Sequence, residues 1–306
     1  MLEFGKSCGI ISMMNTESAY IIAGPTASGK SDFAHKLAKA VHGAIINCDS
    51  VQVYRGIENI SASPFAGRPL ADEIDGVPYR LFSILPLSEQ TSVADYIKLA
   101  RHEYDAVRAK GFVPIFVGGT GYYINGLLNG IAEIPEISPE NRARAREMVA
   151  RDLNAARAMV AGTDMTDSQR VARALEVFLQ TGRQITEWWN EPRVGAITPT
   201  PYKILINPPL KVLHERIAAR IPEMLSGGAQ REAEYIVKNN LNPNRAIGAV
   251  QLCDYITGKI TRDAAIENWI TKTNQYAKRQ RTWFKTQFTP DVTINHISSD
   301  DVSVLL

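Results

Sequence analysis

The feature that most constrains this chain is an eight-residue stretch near its start, Gly24-Pro-Thr-Ala-Ser-Gly-Lys-Ser31, which fits the phosphate-loop pattern G-x-x-x-x-G-K-[ST]. Glycines let the backbone wrap an anion so that successive N–H groups point inward. A following helix would present its positive N-terminal end to the same anion. Lys30 would add a mobile charge, and the Ser31 hydroxyl could ligate Mg²⁺. We therefore predict a phosphate site formed by Gly24, Pro25, Thr26, Ala27, Ser28, Gly29, Lys30 and Ser31.

The segments around this loop predict an α/β fold. Ala19–Ala23 is a short apolar run typical of a buried strand, and a helix is expected from Gly29 to about His42. Strand–helix–strand alternation of this kind predicts a parallel sheet with helices on both faces. The next elements are expected as strands Ala44–Cys48, Arg80–Ile84 and Val113–Val117 and a helix over residues 92–109.

The pattern changes after Gly130, because no convincing strand is found before Pro201. Ser138 is a suitable N-cap for a helix that runs through Asp152, and another helix is expected from Ser168 to Gln180, stopped by Gly182. Strand character returns at Tyr202–Ile206, helices dominate until Phe288, and Val292–Asn295 is expected as an edge strand. We predict a loose arm over residues 1–18, a phosphate-loop (P-loop) catalytic core over 19–130 and 201–306, and an all-helical insertion over 131–200.

The basic charge of the chain is concentrated in its middle. The net charge of the 306 residues is +2, but residues 142–220 carry 13 Lys and Arg against 8 Asp and Glu, a net of +5. A basic segment can face a polyanion such as nucleic acid. The alternative is an Arg-rich helix face that is simply solvated, and charge alone favours this alternative.

Composition excludes several classes of protein. No window approaches the roughly 20 apolar residues that a membrane span needs. Cys8, Cys48 and Cys253 are too widely spaced for a disulfide framework or a zinc site, which favours a reducing, cytoplasmic compartment. Nothing in the sequence indicates a large apolar interface, so a monomer is expected.

A phosphate loop does not identify the bound compound, and on this motif alone a small-molecule kinase is the leading interpretation. Asp49 follows the second predicted strand, at the carboxyl edge where open α/β sheets bind their ligands. A carboxylate there could act as a general base or as a Mg²⁺ ligand. Taken alone, Asp49 is equally consistent with a cap for the following segment.

Several sequence blocks in a fixed order add a more specific resemblance. They look like the bacterial tRNA dimethylallyltransferase family, the isopentenyl transferases that act on adenosine 37 beside the anticodon, and the match runs from about Ala19 to Phe288. The blocks are Gly24–Ser31, Asp49-Ser-Val-Gln-Val-Tyr-Arg-Gly56, Pro114-Ile-Phe-Val-Gly-Gly-Thr-Gly-Tyr-Tyr123, Asp167-Ser-Gln-Arg-Val-Ala-Arg-Ala-Leu-Glu176, Thr181-Gly182, Glu187-Trp188 and Lys278-Arg-Gln-Arg-Thr-Trp283.

This resemblance implies a reaction and two partners, dimethylallyl diphosphate and the tRNA anticodon stem-loop. The phosphate loop would hold the diphosphate, and Asp49 would accept a proton from the adenine N6 amine as it attacks the allylic carbon. Lys30, the loop amides, Mg²⁺ and an arginine would stabilise the leaving diphosphate. The stretch Arg216-Ile-Ala-Ala-Arg220 matches the family at that arginine and assigns it to Arg220.

The resemblance also implies which residues meet the RNA, whose target adenine must be splayed out of the loop. Arg170 and Arg173 are three apart on one expected helix and so share a face, although a surface ion-pair face is the alternative. The base pocket would be lined by Asp49, Ser50, Val51 and Gln52. Thr120 resembles the family's channel position. Further RNA contacts are implied for Arg142, Gln169, Arg170, Val171, Ala172 and Arg173.

Three stretches depart from the family pattern, mainly at expected RNA-contact positions. Residues 57–64 read Ile-Glu-Asn-Ile-Ser-Ala-Ser-Pro in place of a stretch like M-D-I-G-T-A-K-P. Ile247-Gly-Ala-Val-Gln251 replaces a block ending G-Y-[KR]-[EQ], and Gly228-Ala-Gln-Arg-Glu-Ala233 stands in the G-L-I-E-E-V region. These departures leave the predicted catalytic residues intact and bear on the detail of tRNA recognition.

Three other functions remain as alternatives to the tRNA-modifying prenyltransferase. An adenylate isopentenyltransferase would prenylate free AMP, ADP or ATP, but a free nucleotide needs no basic helical insertion. A phosphoryl-transfer kinase is favoured only by the phosphate loop. A non-enzymatic RNA-binding protein is disfavoured, since the loop is intact and Asp49 follows the next strand.

Overall fold

The computed structural model describes residues 19–160 and 167–296, so the predicted arm over residues 1–18 lies outside the described residues. Its strands are β1 (Tyr20–Ala23), β2 (Gly43–Asn47), β3 (Glu73–Ile74), β4 (Val77–Arg80), β5 (Val113–Gly118), β6 (Ile131–Ala132), β7 (Arg193–Val194), β8 (Tyr202–Ile206) and β9 (Val292–Ile294).

The main sheet has seven strands in the order β3-β4-β2-β5-β1-β8-β9. Every neighbouring pair is parallel except β3 and β4. All four residues of β1 are buried, because its apolar sequence lies between two neighbouring strands and under helices. The predicted fold class, a parallel P-loop sheet flanked by helices, is confirmed.

The register brings the carboxyl ends of the central strands together. Ala23 at the end of β1 pairs with Gly118 at the end of β5 and with Leu205 in β8. Asn47, the last residue of β2, pairs with Val117. The segments that leave these strands therefore start side by side at one edge of the sheet, which is the edge where ligands bind in open α/β folds.

The helices carry clear sequence signals at several of their ends. Ser92 caps α2 in a capping box with Asp95, and Ser138 caps α4. The π-helical turn Leu225–Ala229 follows α8. The helices are α1 (Lys30–Val41), α2 (Val93–Ala109), α3 (Gly121–Asn129), α4 (Pro139–Arg151), α5 (Leu153–Met159), α6 (Ser168–Thr181), α7 (Ile185–Trp188), α8 (Leu210–Met224), α9 (Gln230–Lys238), α10 (Ala249–Ile256) and α11 (Arg262–Gln287).

The expected strand at Arg80–Ile84 is wrong in its position. The strand β4 ends at Arg80, where the expected strand was to begin, and it pairs with the short strand β3, which the sequence did not reveal. The reason lies in the backbone, because Leu81 and Ser83 adopt positive φ angles of 63° and 51°. Two left-handed residues turn the chain away from the extended path of a strand.

The chain divides into two units. Among the described residues, the first comprises residues 19–128 together with 197–296. Within it, α8 and α11 pack together around a core that includes Leu213, Ile217 and Ala277. The second unit spans Asn129–Ala196 and has its own apolar core between α4, α5 and α6.

The second unit also contains a short antiparallel pair, β6 with β7. Ile131 pairs with Val194 and Ala132 pairs with Arg193. The expectation that the insertion is entirely helical missed this pair, because two-residue strands are too short to show an alternating pattern. No helix within residues 19–160 and 167–296 is both long and apolar enough to cross a membrane.

Candidate active site

The phosphate loop connects the buried strand β1 to the N-terminus of α1. Its backbone takes left-handed angles twice, at Ala27 with φ 62° and at Gly29 with φ 91°. Between them, the Ser28 N–H donates to the Pro25 carbonyl at 3.2 Å. These turns wrap the loop ahead of the first turn of α1, whose amides have no partners within the helix. The predicted loop therefore has the form of an anion site at a helix N-terminus.

Three side chains from α8 and α11 hold this loop. The Arg220 guanidinium donates to Thr26 Oγ1 at 3.0 Å, and Arg216 donates to the Ala27 and Ser28 carbonyls at 3.3 and 3.0 Å. Gln280 Oε1 accepts from the Thr26 N–H at 2.8 Å. The structure thus brings Arg220 to the loop, while sequence reasoning missed the roles of Arg216 and Gln280.

The signal for both missed residues was present but weak. Arg216 lies one helical turn before Arg220, and residues four apart share a helix face. Gln280 is a polar residue on the buried stripe of α11 that also contains Ala277 and Phe284. A polar side chain on a buried stripe needs a hydrogen-bond partner, and here the partner is the loop.

Charge is concentrated around the loop. Burial lowers the pKa of Lys30 to about 8; Asp49 opposes this shift and Arg220 adds to it. Burial also lowers the pKa of Arg220, again opposed by the carboxylate of Asp49. Within the described residues, the buried Arg220 Nε has no hydrogen-bond partner. The Lys30 ammonium donates to the Pro25 carbonyl at 3.3 Å, so two cations, one of them with an unpartnered donor, lie at the predicted anion site.

Asp49 follows β2 and is held by its neighbour Asn47. The fully buried Asn47 side chain accepts from the Asp49 N–H at 2.9 Å and donates to the Asp49 and Leu81 carbonyls at 3.0 Å each. Asp49 Oδ1 accepts from the Val51 N–H at 2.9 Å. Among the described residues, no hydrogen bond reaches Oδ2. One carboxylate oxygen thus closes a turn, as the capping alternative required, and the other can accept a proton.

Thr120 connects the turn after β5 to the turn after β2. Its hydroxyl oxygen accepts from the Ser50 N–H at 2.9 Å and lies 3.2 Å from Ser50 Oγ. Tyr276 of α11 lies close to Thr120. Burial, reinforced by the charge of Asp49, raises the pKa of the Tyr276 hydroxyl above its usual range, so this hydroxyl stays protonated. Sequence reasoning did not single out Tyr276.

The other two residues of the predicted base pocket have structural partners. Gln52 donates from Nε2 to the carbonyls of Ser61 and Ala62, at 3.1 Å each, and so holds the 57–64 stretch. The half-buried Val51 side chain packs against the apolar core around α8 and α11. Among the residues predicted to receive the base, the structure therefore brings together Ser50 and Thr120 by hydrogen bonds, and Asp49 precedes Ser50 in the chain.

Two of the stretches that depart from the family pattern contact each other. The partly buried Glu232 carboxylate of α9 accepts from the Asn59 and Ile60 N–H groups at 2.8 Å each, and from the Asn59 side chain at 2.7 Å. Burial raises the pKa of Glu232, while these hydrogen bonds oppose the shift. The unusual residues 57–64 and 228–233 thus form one hydrogen-bonded arrangement.

The predicted RNA-contact residues of the second unit differ in exposure. Gln169 and Arg170 are exposed on α6, and Ala172 and Arg142 are half-buried. Arg173 forms an ion pair of 3.2 Å with the largely buried Glu176, one turn further along α6. The expectation for Val171 is wrong for its side chain, which has 0% exposure. Helical periodicity places Val171 with Ala174 and Leu175 in the core of the unit.

A small cleft lies beside Lys30 and Ser31. Its wall is mainly apolar and aromatic, with Ala34, Ile45, Pro64, Tyr79, Phe82, Val117 and the polar Gln52 completing the lining. Within the described ranges, no group of three or more His, Cys, Asp or Glu side chains is placed to hold a metal. The exposed hydroxyl of Ser31, the last residue of the loop, lies in the first turn of α1 and offers an oxygen atom that could ligate a metal ion. A single hydroxyl fits Mg²⁺ that takes its other ligands from water and phosphate oxygens.

Comparisons with known proteins agree with one another. The IPP transferase family model matches residues 52–287, and the isopentenyl transferase model matches residues 17–84. A tRNA dimethylallyltransferase of Rhodospirillum rubrum is 38% identical over 285 residues, which cover 89% of this chain and 86% of that protein.

Two solved structures extend the agreement to the fold. The full-length tRNA isopentenylpyrophosphate transferase of Bacillus halodurans aligns with a TM-score of 0.67 and 29% identity, covering 94% of this chain and 93% of that chain. A eukaryotic dimethylallyltransferase acting on tRNA aligns with a TM-score of 0.74 and 26% identity, covering 92% of this chain and 75% of that chain.

Proposed function

This chain belongs to the IPP transferase family, and from that premise we propose that it transfers the dimethylallyl group of dimethylallyl diphosphate to N6 of adenosine 37, next to the tRNA anticodon, and releases diphosphate. The observation that carries the proposal is electrostatic. The carboxylate of Asp49 lies close enough to Lys30 and Arg220 to influence the pKa of both, so a proton acceptor and an anion site share one edge of the sheet.

The proposed step is a displacement at the allylic carbon. The adenine N6 nitrogen forms a bond to C1 of the dimethylallyl group as the bond from C1 to the diphosphate oxygen breaks. The N6 proton passes to Asp49 Oδ2, and the electron pair of the broken bond leaves with the diphosphate. Lys30, Arg220 and the loop amides stabilise the charge that grows on the leaving group, and such preorganised donors are worth most in a water-poor site.

Mg²⁺ is the proposed cofactor, with the Ser31 hydroxyl as its protein ligand. When bound there, the ion would add positive charge beside the diphosphate. The apolar wall of the cleft beside Lys30 and Ser31 suits the hydrocarbon part of dimethylallyl diphosphate better than the sugar of a nucleotide. This contrast in lining supports the allylic diphosphate over a kinase substrate.

Recognition of tRNA is proposed to involve both units. In the first, Asp49, Ser50 and Thr120 would receive the extruded base, since bases taken out of a stack are read by hydrogen bonds to their edges. In the second, the basic residues Arg142, Arg170 and Arg173 and the polar Gln169 would contact the RNA, and the Arg side chains would supply affinity for its backbone. We also propose that the enzyme is a cytoplasmic monomer.

One assay tests the function against its alternatives. Labelled dimethylallyl diphosphate is supplied with unmodified tRNA, with AMP, or with the same tRNA carrying guanosine at position 37, and a parallel reaction contains ATP and small acceptors. We expect label in the unmodified tRNA alone. Label in AMP but not in tRNA would support the adenylate isopentenyltransferase. Cleavage of ATP at useful rates, with no prenyl group reaching RNA, would contradict the proposal and support the kinase.

A further inference from the structure

Gln280 joins two parts of the active site that come from different strands. Its side chain is 5% exposed and lies in the long helix α11. The carboxamide oxygen accepts from the Thr26 N–H of the phosphate loop at 2.8 Å, and the carboxamide nitrogen donates to the Gly119 carbonyl at 2.9 Å. Both ends of the amide are therefore engaged, one on the loop after β1 and one on the turn after β5.

The turn after β5 is shaped to admit this amide. A Cβ atom at Gly119 would overlap Gln280 Nε2 and would lie 2.9 Å from the Gly24 carbonyl oxygen. A Cβ atom at Gly118 would overlap the backbone of Cys48. The two glycines thus allow the phosphate loop, the end of β2 and the Gln280 side chain to approach one another. Any larger residue at position 119 would displace the amide from the loop.

The contacts continue from Gly119 to the proton acceptor. Thr120 follows Gly119 directly, and its hydroxyl oxygen accepts from the Ser50 N–H at 2.9 Å. Ser50 follows Asp49. The side chain of Gln280 is thus the bridge between the loop that would hold the diphosphate and the turns that would hold the adenine. Its contacts reach both sides through backbone atoms, which move little compared with surface side chains.

We propose that Gln280 is a positioning residue that fixes the distance and angle between the diphosphate and the acceptor base; this inference rests on the proposed function. Displacement at a carbon needs the attacking and reacting atoms about 3–3.5 Å apart and aligned, and a misplacement of about 1 Å can slow such a reaction roughly 100-fold. The bridge ties the two binding turns together. Its loss would change their separation but would remove none of the groups that bind each substrate.

The first test replaces Gln280 by Met, which keeps the length and removes both hydrogen bonds. The matched control is Gln287→Met, at the exposed last residue of the same helix. For Gln280→Met we expect kcat for tRNA prenylation to fall by roughly 100-fold, with KM for both substrates within about threefold of wild type. The control should match wild type. A kcat within threefold of wild type, or a loss confined to KM or thermal stability, would overturn the inference.

The second test replaces Gln280 by Glu, which can still accept from Thr26 but can donate to Gly119 only when protonated. The ratio of its kcat to that of wild type should rise as pH falls, because protonation restores the donor. The same ratio for Gln280→Met should not change with pH. A flat ratio for Gln280→Glu would overturn the inference. Absence of prenyl transfer by the wild-type enzyme itself would instead refute the proposed function.

Discussion

Lys30 is the residue whose ionisation most directly links structure to substrate binding. Burial lowers its pKa to about 8 in the free enzyme, so it is charged below pH 8 and loses its proton as pH rises above that value. A bound diphosphate would favour the charged form and raise the pKa. Affinity for the diphosphate should therefore be fully present below pH 8 and decline above it.

We predict that the Kd for dimethylallyl diphosphate rises above pH 8 by at most roughly tenfold per pH unit, since one proton is taken up on binding. Calorimetric titrations from pH 7 to pH 10 would measure it. In Lys30→Arg the guanidinium stays charged over this range, so its Kd should vary less with pH. An equal pH dependence in both proteins would show that another group titrates.

Asp49 makes a separate prediction, because it is the proposed proton acceptor and does not itself bind the RNA backbone. In Asp49→Ala we expect prenyl transfer to fall by about 10²–10⁴-fold, the range that general bases contribute. Binding of tRNA, measured by filter retention, should persist. A residual transfer rate near that of wild type would remove Asp49 from the role of base.

At the scale of secondary-structure elements, α8 supports the phosphate loop through Arg216, near the middle of the helix. Arg216 donates two hydrogen bonds to carbonyls of the loop, at Ala27 and Ser28, and so holds the left-handed turn at Ala27 in place. Because Arg216 donates to carbonyl oxygens of the loop itself, we expect it to stabilise the shape of the loop more than the bound ligand.

We predict that Arg216→Met lowers the free energy of unfolding by about 1.5–3 kcal/mol, the usual contribution of hydrogen bonds from a charged donor. Urea unfolding would measure the change. Lys211→Met, at an exposed position of the same helix, removes one positive charge without touching the loop and should have little effect. Equal stability of the two variants would mean that the Arg216 contacts are not stabilising.

The elements that the sequence predicted well are those with strong local signals. The strand Tyr202–Ile206 has the expected bounds, and β1, α1 and α4 begin within a residue or two of the expected positions. The error at Arg80–Ile84 arose because Leu81 and Ser83 adopt positive φ angles. Leu and Ser rarely do so, and their identity in the sequence therefore does not indicate a turn. The pairs β3–β4 and β6–β7 were missed because at least one strand in each is only two residues long.

The site was predictable only where its residues belong to a local motif. Gly24–Ser31 and Asp49 could be identified from their neighbours in the sequence. Gln280 lies in the matched block Lys278–Trp283, but its role could not be predicted, because that role depends on Thr26, which lies 254 residues away in the chain. Val171 was assigned to RNA by its place in a motif, although helical periodicity alone would have assigned it to the core.

At the scale of the whole molecule, positive charge is concentrated in residues 142–220, which bear 13 Lys and Arg against 8 Asp and Glu. The interior of the second unit contains one of the few buried charged groups, Glu176, and Arg173 neutralises it. Arg173 therefore has a structural partner as well as a proposed RNA contact. Arg170, exposed one turn earlier on α6, is the cleaner probe of the RNA contact.

We predict that Arg170→Ala weakens tRNA binding and reduces the slope of log K against log salt by about 1, as expected for the loss of one phosphate contact. Replacing Arg173 as well should weaken binding further and also destabilise the unit, because the buried Glu176 carboxylate loses its partner. Binding would be measured between about 50 and 200 mM salt, because affinity that depends on phosphate contacts falls strongly over this range. Lys98→Ala, which removes an exposed charge from α2, should leave the slope unchanged. An unchanged slope in Arg170→Ala would show that this arginine does not contact phosphate, and the basic face of α6 would then be a solvated surface.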